Sequence, residues 1–176
     1  YNHDENVKSF IENPNSELPL VYISFPSAKD NDFIDKNLQY ATMEVVSVAN
    51  WSDYSKWKDL PWKKRGKEYE ELKEKITNSL LSVVYKNVSG IEKFIDYSEL
   101  STPLSVSNLA NYSKGELYGI DHTPNRFGEK WLKPRSDIKN LFLTGQDITT
   151  VGVTSALFSG LITASAITKK NLMKDL

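Results

Sequence analysis

The chain contains 176 residues, of which 39% are hydrophobic and 11% are aromatic, so it can bury a core and is not a disordered tail. Its 22 Lys and Arg residues nearly cancel its 23 Asp and Glu residues, which leaves a formal net charge of −1. A general nucleic-acid binder would carry a clustered basic surplus, so we expect no nucleic-acid partner. The absence of Cys and the presence of only two His exclude disulfide scaffolds and cysteine nucleophiles and predict no metal site.

The ends of the sequence predict a piece of a longer polypeptide. The chain begins at Tyr1 rather than at Met, and a polar run follows without the pattern of a signal peptide. Together with the lack of Cys, this predicts a cytoplasmic protein.

One uncharged segment is long enough to span a bilayer. It runs over 21 residues, from Ile148 to Thr168, but ten of these are Thr, Ser or Gly, which suit lipid contact poorly. The composition therefore favours a buried helix over a transmembrane helix.

The first two-thirds of the chain predicts an α+β lobe. Leu20–Phe25 and Thr42–Ala49 have the β-branched and aromatic content of two strands, which we expect to be antiparallel, with a loop over Ser27–Lys36 between them. A helix is predicted over about 64–87, because Tyr69, Leu72, Ile76, Leu80 and Val83 or Val84 recur at steps of three and four residues. Phe94–Leu100 is predicted as a short strand that returns to the sheet.

The last third of the chain predicts a different kind of secondary structure from the α+β lobe. Asn140–Thr144 resembles a short buried strand of a parallel sheet, and Gly145-Gln146-Asp147 predicts a turn after it. A helix is expected to begin near Gly152, with Ala156, Gly160 and Ala164 on one face, which would let it lie close to a sheet or a helix. A strand, a glycine turn and an uncharged helix make half of a nucleotide-binding βαβ unit.

This turn is the candidate binding site. Gly145 lets a ligand approach the backbone, and Asp147 can accept hydrogen bonds from ribose or ribityl hydroxyls. The free N–H groups of Gly152, Val153 and Thr154 at the start of the helix would favour a negative oxygen. The spacing alone is equally typical of a buried helix after a capped turn.

Several motifs resemble a known family. Leu143-Thr144-Gly145-Gln146-Asp147, followed by Val151-Gly152-Val153 and the small-residue helix, is similar to the C-terminal flavin-contacting motif of FAD-dependent oxidoreductases of the phytoene desaturase, carotenoid isomerase and retinol saturase-like family. Further similar segments occur in the family's order, at 22–30, 115–127 and 131–135.

The resemblance implies a two-domain flavoprotein with a Rossmann-type FAD domain and an antiparallel-sheet substrate domain. Its cofactor would be FAD, contacted by Gly145, Gln146, Asp147, Gly152, Val153 and Thr154, and its hydrophobic, isoprenoid-like substrate would exchange hydride with the flavin. Tyr118 and His122 would lie near the flavin and the substrate channel. The resemblance assigns no catalytic residue within this chain.

The family's G-x-G-x-x-G fingerprint is absent from the chain. The resemblance therefore implies only the C-terminal part of such an enzyme, whose partner is the missing N-terminal part and whose isolated form binds FAD weakly or not at all.

The predicted fold class is α/β with an α+β lobe: residues 1–110 form part of the substrate-binding lobe, whose sheet a long helix covers, and residues 111–176 form the C-terminal part of the FAD-binding domain. The uncovered 140–168 region is expected to cause self-association.

Three alternatives stay open. The Trp and Lys residues at 51–65 fit either peripheral membrane contact or aromatic packing at the entry to a helix. Asp121-His122 resembles part of a catalytic dyad, but no serine elbow accompanies it, which favours a structural or channel histidine. The rival function is a non-catalytic α+β module that binds lipid or protein.

Overall fold

The computed structural model describes residues 2–13, 17–36 and 39–175. Contacts divide the chain into two compact units, Tyr1–Gly115 and Glu116–Leu176. The boundary predicted from sequence lies between residues 110 and 111, and the assignment of the two parts to a substrate lobe and a cofactor domain stays a prediction.

The described residues of the first unit form four helices and two strands. In chain order these are α1 (His3–Glu12), β1 (Val21–Ser24), α2 (Asn31–Asp35), β2 (Glu44–Ser47), α3 (Lys67–Asn87) and α4 (Pro103–Ala110). Short 3₁₀ turns lie at Pro26–Lys29, Trp51–Asp53, Ser55–Trp57 and Ile91–Phe94.

The predicted pair of strands is confirmed. β1 and β2 pair antiparallel, with Val21 opposite Ser47 and Ser24 opposite Glu44. The connection between them is not the predicted loop over Ser27–Lys36, because a 3₁₀ turn and α2 lie there. The Thr42 amide donates to the Ser27 hydroxyl at 2.7 Å and fixes the end of this connection beside its start.

The long helix and its apolar stripe are also confirmed. Tyr69, Leu80 and Val84 of α3 are buried, and Tyr69 packs with Tyr54, Trp57 and Leu104 in a core cluster. The rings of Trp57 and Tyr69 meet edge to face at 5.3 Å, and the Tyr69 hydroxyl lies 2.7 Å from that of Thr102. Trp57 thus has a packing role in the core.

The strand predicted at Phe94–Leu100 is wrong. Phe94 ends a 3₁₀ turn, and residues 95–100 pair with no strand in the described part of the chain. Phe94 and Tyr97 are 72% and 78% exposed, so their β-forming side chains have no sheet to pack against.

Tyr54 gives the first unit a dependence on alkaline pH. Burial, aided by the charge of Asp53 and by Tyr69, raises the pKa of Tyr54 to about 12 from 10.0. The unfolded phenol ionises first, so we expect the free energy of unfolding to be unaffected below pH ~10 and to fall by about 2 to 3 kcal/mol as the pH rises to ~12. Urea unfolding of the wild type and of Tyr54→Phe at several pH values checks this; an equal alkaline loss in both would contradict it.

The second unit contains α5 (Pro124–Gly128), a 3₁₀ turn at Gln146–Ile148, α6 (Val153–Thr168) and a 3₁₀ turn at Leu172–Asp175. The predicted start of α6 is confirmed. The strand predicted at Asn140–Thr144 is wrong, because the described residues offer it only an isolated antiparallel bridge between Arg135 and Phe142. A buried central strand requires neighbours on both sides, and β1 and β2 form the one sheet among the described residues.

None of the helices in the described ranges combines the length and the hydropathy needed to cross a bilayer.

Candidate functional site

The predicted turn is bounded by two glycines with open space beside them. Gly145 has φ 103° and Gly152 has φ 108°, which is backbone that L side chains rarely adopt, and a Cβ on either would meet no atom within 4 Å. The backbone of this turn is therefore accessible to a ligand on its glycine side.

The N-terminus of α6 begins directly after Gly152. Gly152 at its N-cap has no side chain to cap it, and its first turn holds no acidic residue, so among the described residues its first N–H groups keep their partial positive charge uncompensated. Val153, the first residue of the helix, is 88% exposed. This end of α6 can receive an electron-rich or anionic group.

Asp147 holds a neighbouring loop against the turn. Its Oδ1 accepts the N–H of Ile120 at 3.0 Å, and a Cβ on Gly119 would lie 2.0 Å from that oxygen. Oδ2 has no hydrogen-bond partner in the part of the chain that the structure describes. One carboxylate oxygen is thus structural and the other is available to a hydroxyl donor.

Arg126 on α5 is the central buried group of the site. It is 5% exposed, and its Nη2 donates to the carbonyl oxygens of Gln146 (3.0 Å), Asp147 (3.0 Å) and Thr149 (3.3 Å). Its Nη1 donates to the carbonyl oxygen of Ile120 at 2.7 Å. The Arg126 guanidinium therefore links the loop that contains Ile120 to the turn at 146–149.

His122 is brought next to the start of α6. Its Nε2 accepts the Val151 N–H at 2.9 Å, and its Nδ1 and Nε2 lie 2.9 Å and 3.0 Å from Nη1 of Arg126. Tyr118, the other predicted channel residue, is 60% exposed, and Asp121 is exposed as well. His122 thus acts on the backbone of the turn, while the channel role of both residues stays a prediction.

The polar face of α6 anchors the turn. The Ser159 hydroxyl is fully buried, accepts the Gly145 N–H at 2.7 Å and donates to the carbonyl oxygen of Ala156 at 2.6 Å. Thr163 donates to the carbonyl oxygen of Leu143 at 2.8 Å. The opposite face is apolar and exposed, with Leu157 78% accessible and no atom within 4 Å of a Cβ on Gly160.

The structure brings the loop around His122 next to the turn before α6, and two residues that were not predicted as site residues, Arg126 and Ser159, hold that turn. Arg126 bonds to carbonyls twenty or more residues away, which no local pattern encodes. One signal was available, because Thr123 before Pro124 caps α5 by accepting the Arg126 N–H at 3.4 Å, which predicts a helix start there.

Known proteins similar to the chain share one description. An all-trans-retinol 13,14-reductase of Danio rerio is 35% identical over 157 residues, which is 88% of this chain and 26% of the relative. One of Rattus norvegicus is 32% identical over 180 positions, covering 98% of the chain and 30% of the relative. An inactive all-trans-retinol 13,14-reductase of Danio rerio is 28% identical over 163 residues, 90% of the chain and 26% of the relative.

No protein-family model matches the chain, and no solved structure matches it. The chain spans 26% to 30% of the length of these relatives. Their agreement over nearly all of its sequence confirms the family resemblance: the chain belongs to the retinol saturase-like family.

Proposed function

We propose that the chain is the C-terminal part of an FAD-dependent oxidoreductase that moves hydride between flavin and a hydrophobic, retinoid-like substrate. The relatives are named reductases, which supports an oxidoreductase, and the open turn before α6 supports a cofactor contact. In this proposal the N-terminal part of the same polypeptide supplies the Rossmann sheet and the ADP-binding fingerprint.

The residues of the turn fit the polar parts of FAD. Gly145 and Gly152 leave room beside the backbone, and α6 offers uncapped N–H groups. Oδ2 of Asp147 can accept a ribityl hydroxyl, while the amides from Gly152 to Thr154 stabilise negative charge on an acceptor oxygen. When bound, FAD supplies the acceptance and donation of hydride, and this chain's residues bind and orient it.

The substrate assignment rests on the relatives' names, which give all-trans-retinol. We propose a retinoid or a similar polyene, with Tyr118 and His122 near its channel. Because one similar protein is named inactive, turnover is measured on the full-length polypeptide itself.

The visible spectrum of the full-length polypeptide tests the proposal. We expect the absorption bands of oxidised flavin, their bleaching on reduction, and reduction of an added all-trans-retinol double bond detected by chromatography. The isolated chain should bind FAD weakly or not at all in a fluorescence titration. A full-length protein without flavin would contradict the function, and micromolar binding by the isolated chain would contradict the division of the cofactor site.

A groove supports the second candidate, a non-catalytic module that binds lipid. It has a volume of about 820 Å³, lies in the first unit, and is bordered by apolar residues such as Phe10 and Ile76 and by both basic and acidic side chains, among them Lys75, Lys86 and Asp53. Displacement of a fluorescent fatty acid from a flavin-free full-length protein would favour this candidate.

The site of action is proposed to be cytoplasmic, with peripheral membrane contact through the 51–65 segment. Because Trp57 is 6% exposed and packs in the core, such contact would rely on Trp51 and Trp62, which are half-buried. Liposome flotation of Trp62→Ala tests it without disturbing the core cluster.

Self-association of the isolated chain is a further expected result. Val153 and Leu157 expose 88% and 78% of their surface on one face of α6, and such an apolar face favours pairing with a second copy. We expect Leu157→Lys to shift the chain toward monomer and to reduce binding of a hydrophobic dye. Analytical ultracentrifugation checks this, with the equally exposed but isolated Tyr97→Lys as control; equal effects would contradict the role of α6.

A further inference from the structure

The charge of Arg126 is buried without a carboxylate. The side chain is 5% exposed, and none of its contacts among the described residues is an ion pair. Its Nε–H is buried and has no partner in the described ranges. A buried cation is expensive unless its surroundings or a bound group compensate for it.

The Arg126 guanidinium also fixes the orientation of the peptide groups in the turn at 146–149. It draws the carbonyl oxygens of Gln146, Asp147 and Thr149 toward itself. The C=O and N–H of one trans peptide group point in opposite directions, so carbonyls of Gln146 and Thr149 held inward direct the N–H groups of Asp147 and Thr150 outward. The Ile148 and Thr149 N–H groups donate within the turn, to the carbonyl oxygens of Gly145 and Gln146 at 3.4 Å and 3.2 Å. In addition, His122 fixes the Val151 N–H immediately before Gly152.

Together these contacts place a permanent positive charge behind the carbonyls of the turn, next to the uncapped start of α6. Guanidinium keeps its charge in proteins, and its rigid planar fork holds several acceptors in a fixed geometry, whereas the three donors of an ammonium on a flexible stem impose no such geometry. Substitutions at Arg126 can therefore test the effect of its charge and the effect of its fork geometry separately.

We propose that Arg126 is a positioning residue of the FAD contact: its fork orients the peptide groups that begin at the carbonyls of Gln146, Asp147 and Thr149, and its charge favours the form of the cofactor that carries more negative charge. This inference rests on the proposed function. Arg126 acts through the backbone of the turn, so it is not assigned contact with FAD itself.

The test uses the full-length polypeptide with Arg126→Gln, Arg126→Lys and the control Arg135→Gln. Arg135 lies in the same unit and also donates to a carbonyl of α6, that of Ala166, but it is exposed and lies at the other end of the helix. Three quantities are measured: FAD affinity, the two-electron midpoint potential of bound FAD, and hydrogen exchange of the amides at 146–152.

Arg126→Gln should weaken FAD binding by about tenfold or more, because a charged donor to several carbonyls is lost. It should also lower by about tenfold the preference for reduced over oxidised FAD, which is about 30 mV in potential. Arg126→Lys should keep the potential, because the charge remains, but lose affinity and protection of the turn, because the fork is lost. Arg135→Gln should change none of these quantities.

The possible outcomes distinguish failure of the proposed function from failure of the inference about Arg126. Wild-type protein without FAD overturns the proposed function and this inference with it. FAD bound normally by both Arg126 variants, with potentials equal to that of Arg135→Gln, overturns the inference alone. If Arg126→Gln does not fold, Arg126→Lys decides; failure of both to fold would assign Arg126 to general stability and overturn the positioning role.

Discussion

Gly119→Ala is expected to destabilise the second unit and to weaken FAD binding. Gly119 has φ +69°, and an added Cβ would lie 2.0 Å from Oδ1 of Asp147, so the carboxylate must turn away. Left-handed backbone costs alanine about 1 to 2 kcal/mol, and loss of the exposed hydrogen bond from the Ile120 N–H adds about 0.5 to 1.5 kcal/mol. We expect the free energy of unfolding of this unit to fall by about 2 kcal/mol, and FAD affinity of the full-length polypeptide to fall about tenfold.

The matched control for this change is Gly128→Ala. Gly128 ends α5, lacks a positive φ, and a Cβ there meets no atom within 4 Å. Its substitution should leave the free energy of unfolding within about 0.5 kcal/mol of the wild type. Urea unfolding and FAD titration of both variants measure these effects; similar behaviour of the two would show that Asp147 does not depend on the absence of a side chain at Gly119.

Ser159→Ala is expected to release the turn from α6. The hydroxyl is fully buried and accepts the Gly145 N–H at 2.7 Å, so its removal leaves that amide without an acceptor. Because Gly145 is half-buried, losing this hydrogen bond should cost about 0.5 to 1.5 kcal/mol. The loss should appear in urea unfolding, and hydrogen exchange should show it first at the amide of Gly145.

Ser79→Ala provides the control for the loss of a serine hydroxyl in a helix. Ser79 is exposed on α3 and donates only to the carbonyl oxygen of Lys75, one turn earlier. Because alanine favours helix more than serine does, this change should be neutral or stabilising by about 0.5 kcal/mol. A loss in Ser79→Ala as large as that in Ser159→Ala would remove the argument for a specific anchor.

The elements that were predicted correctly are those that a local residue pattern specifies. The stripe that begins at Tyr69 predicts α3 because one apolar face at helical spacing requires no knowledge of distant contacts. The antiparallel strands β1 and β2 and the start of α6 near Gly152 were also predicted from local residue composition.

The errors occur where an element depends on partners. Asn140–Thr144 has the composition of a central strand, but only Phe142 forms a bridge within the described chain. α1, at His3–Glu12, was not predicted: its apolar residues are only Val7, Phe10 and Ile11, which follow a polar start, and Phe10 is its one buried residue. Arg126 was missed because its role consists of hydrogen bonds to carbonyls that only the folded chain brings together.

Hydrogen exchange of the full-length polypeptide with and without FAD tests the central claim most directly. If the turn before α6 receives the cofactor, FAD should slow exchange of the amides between Gly145 and Thr154, and it should leave the amides of α3 unchanged. Bound FAD that leaves exchange in the 145–154 segment unaltered would contradict the account.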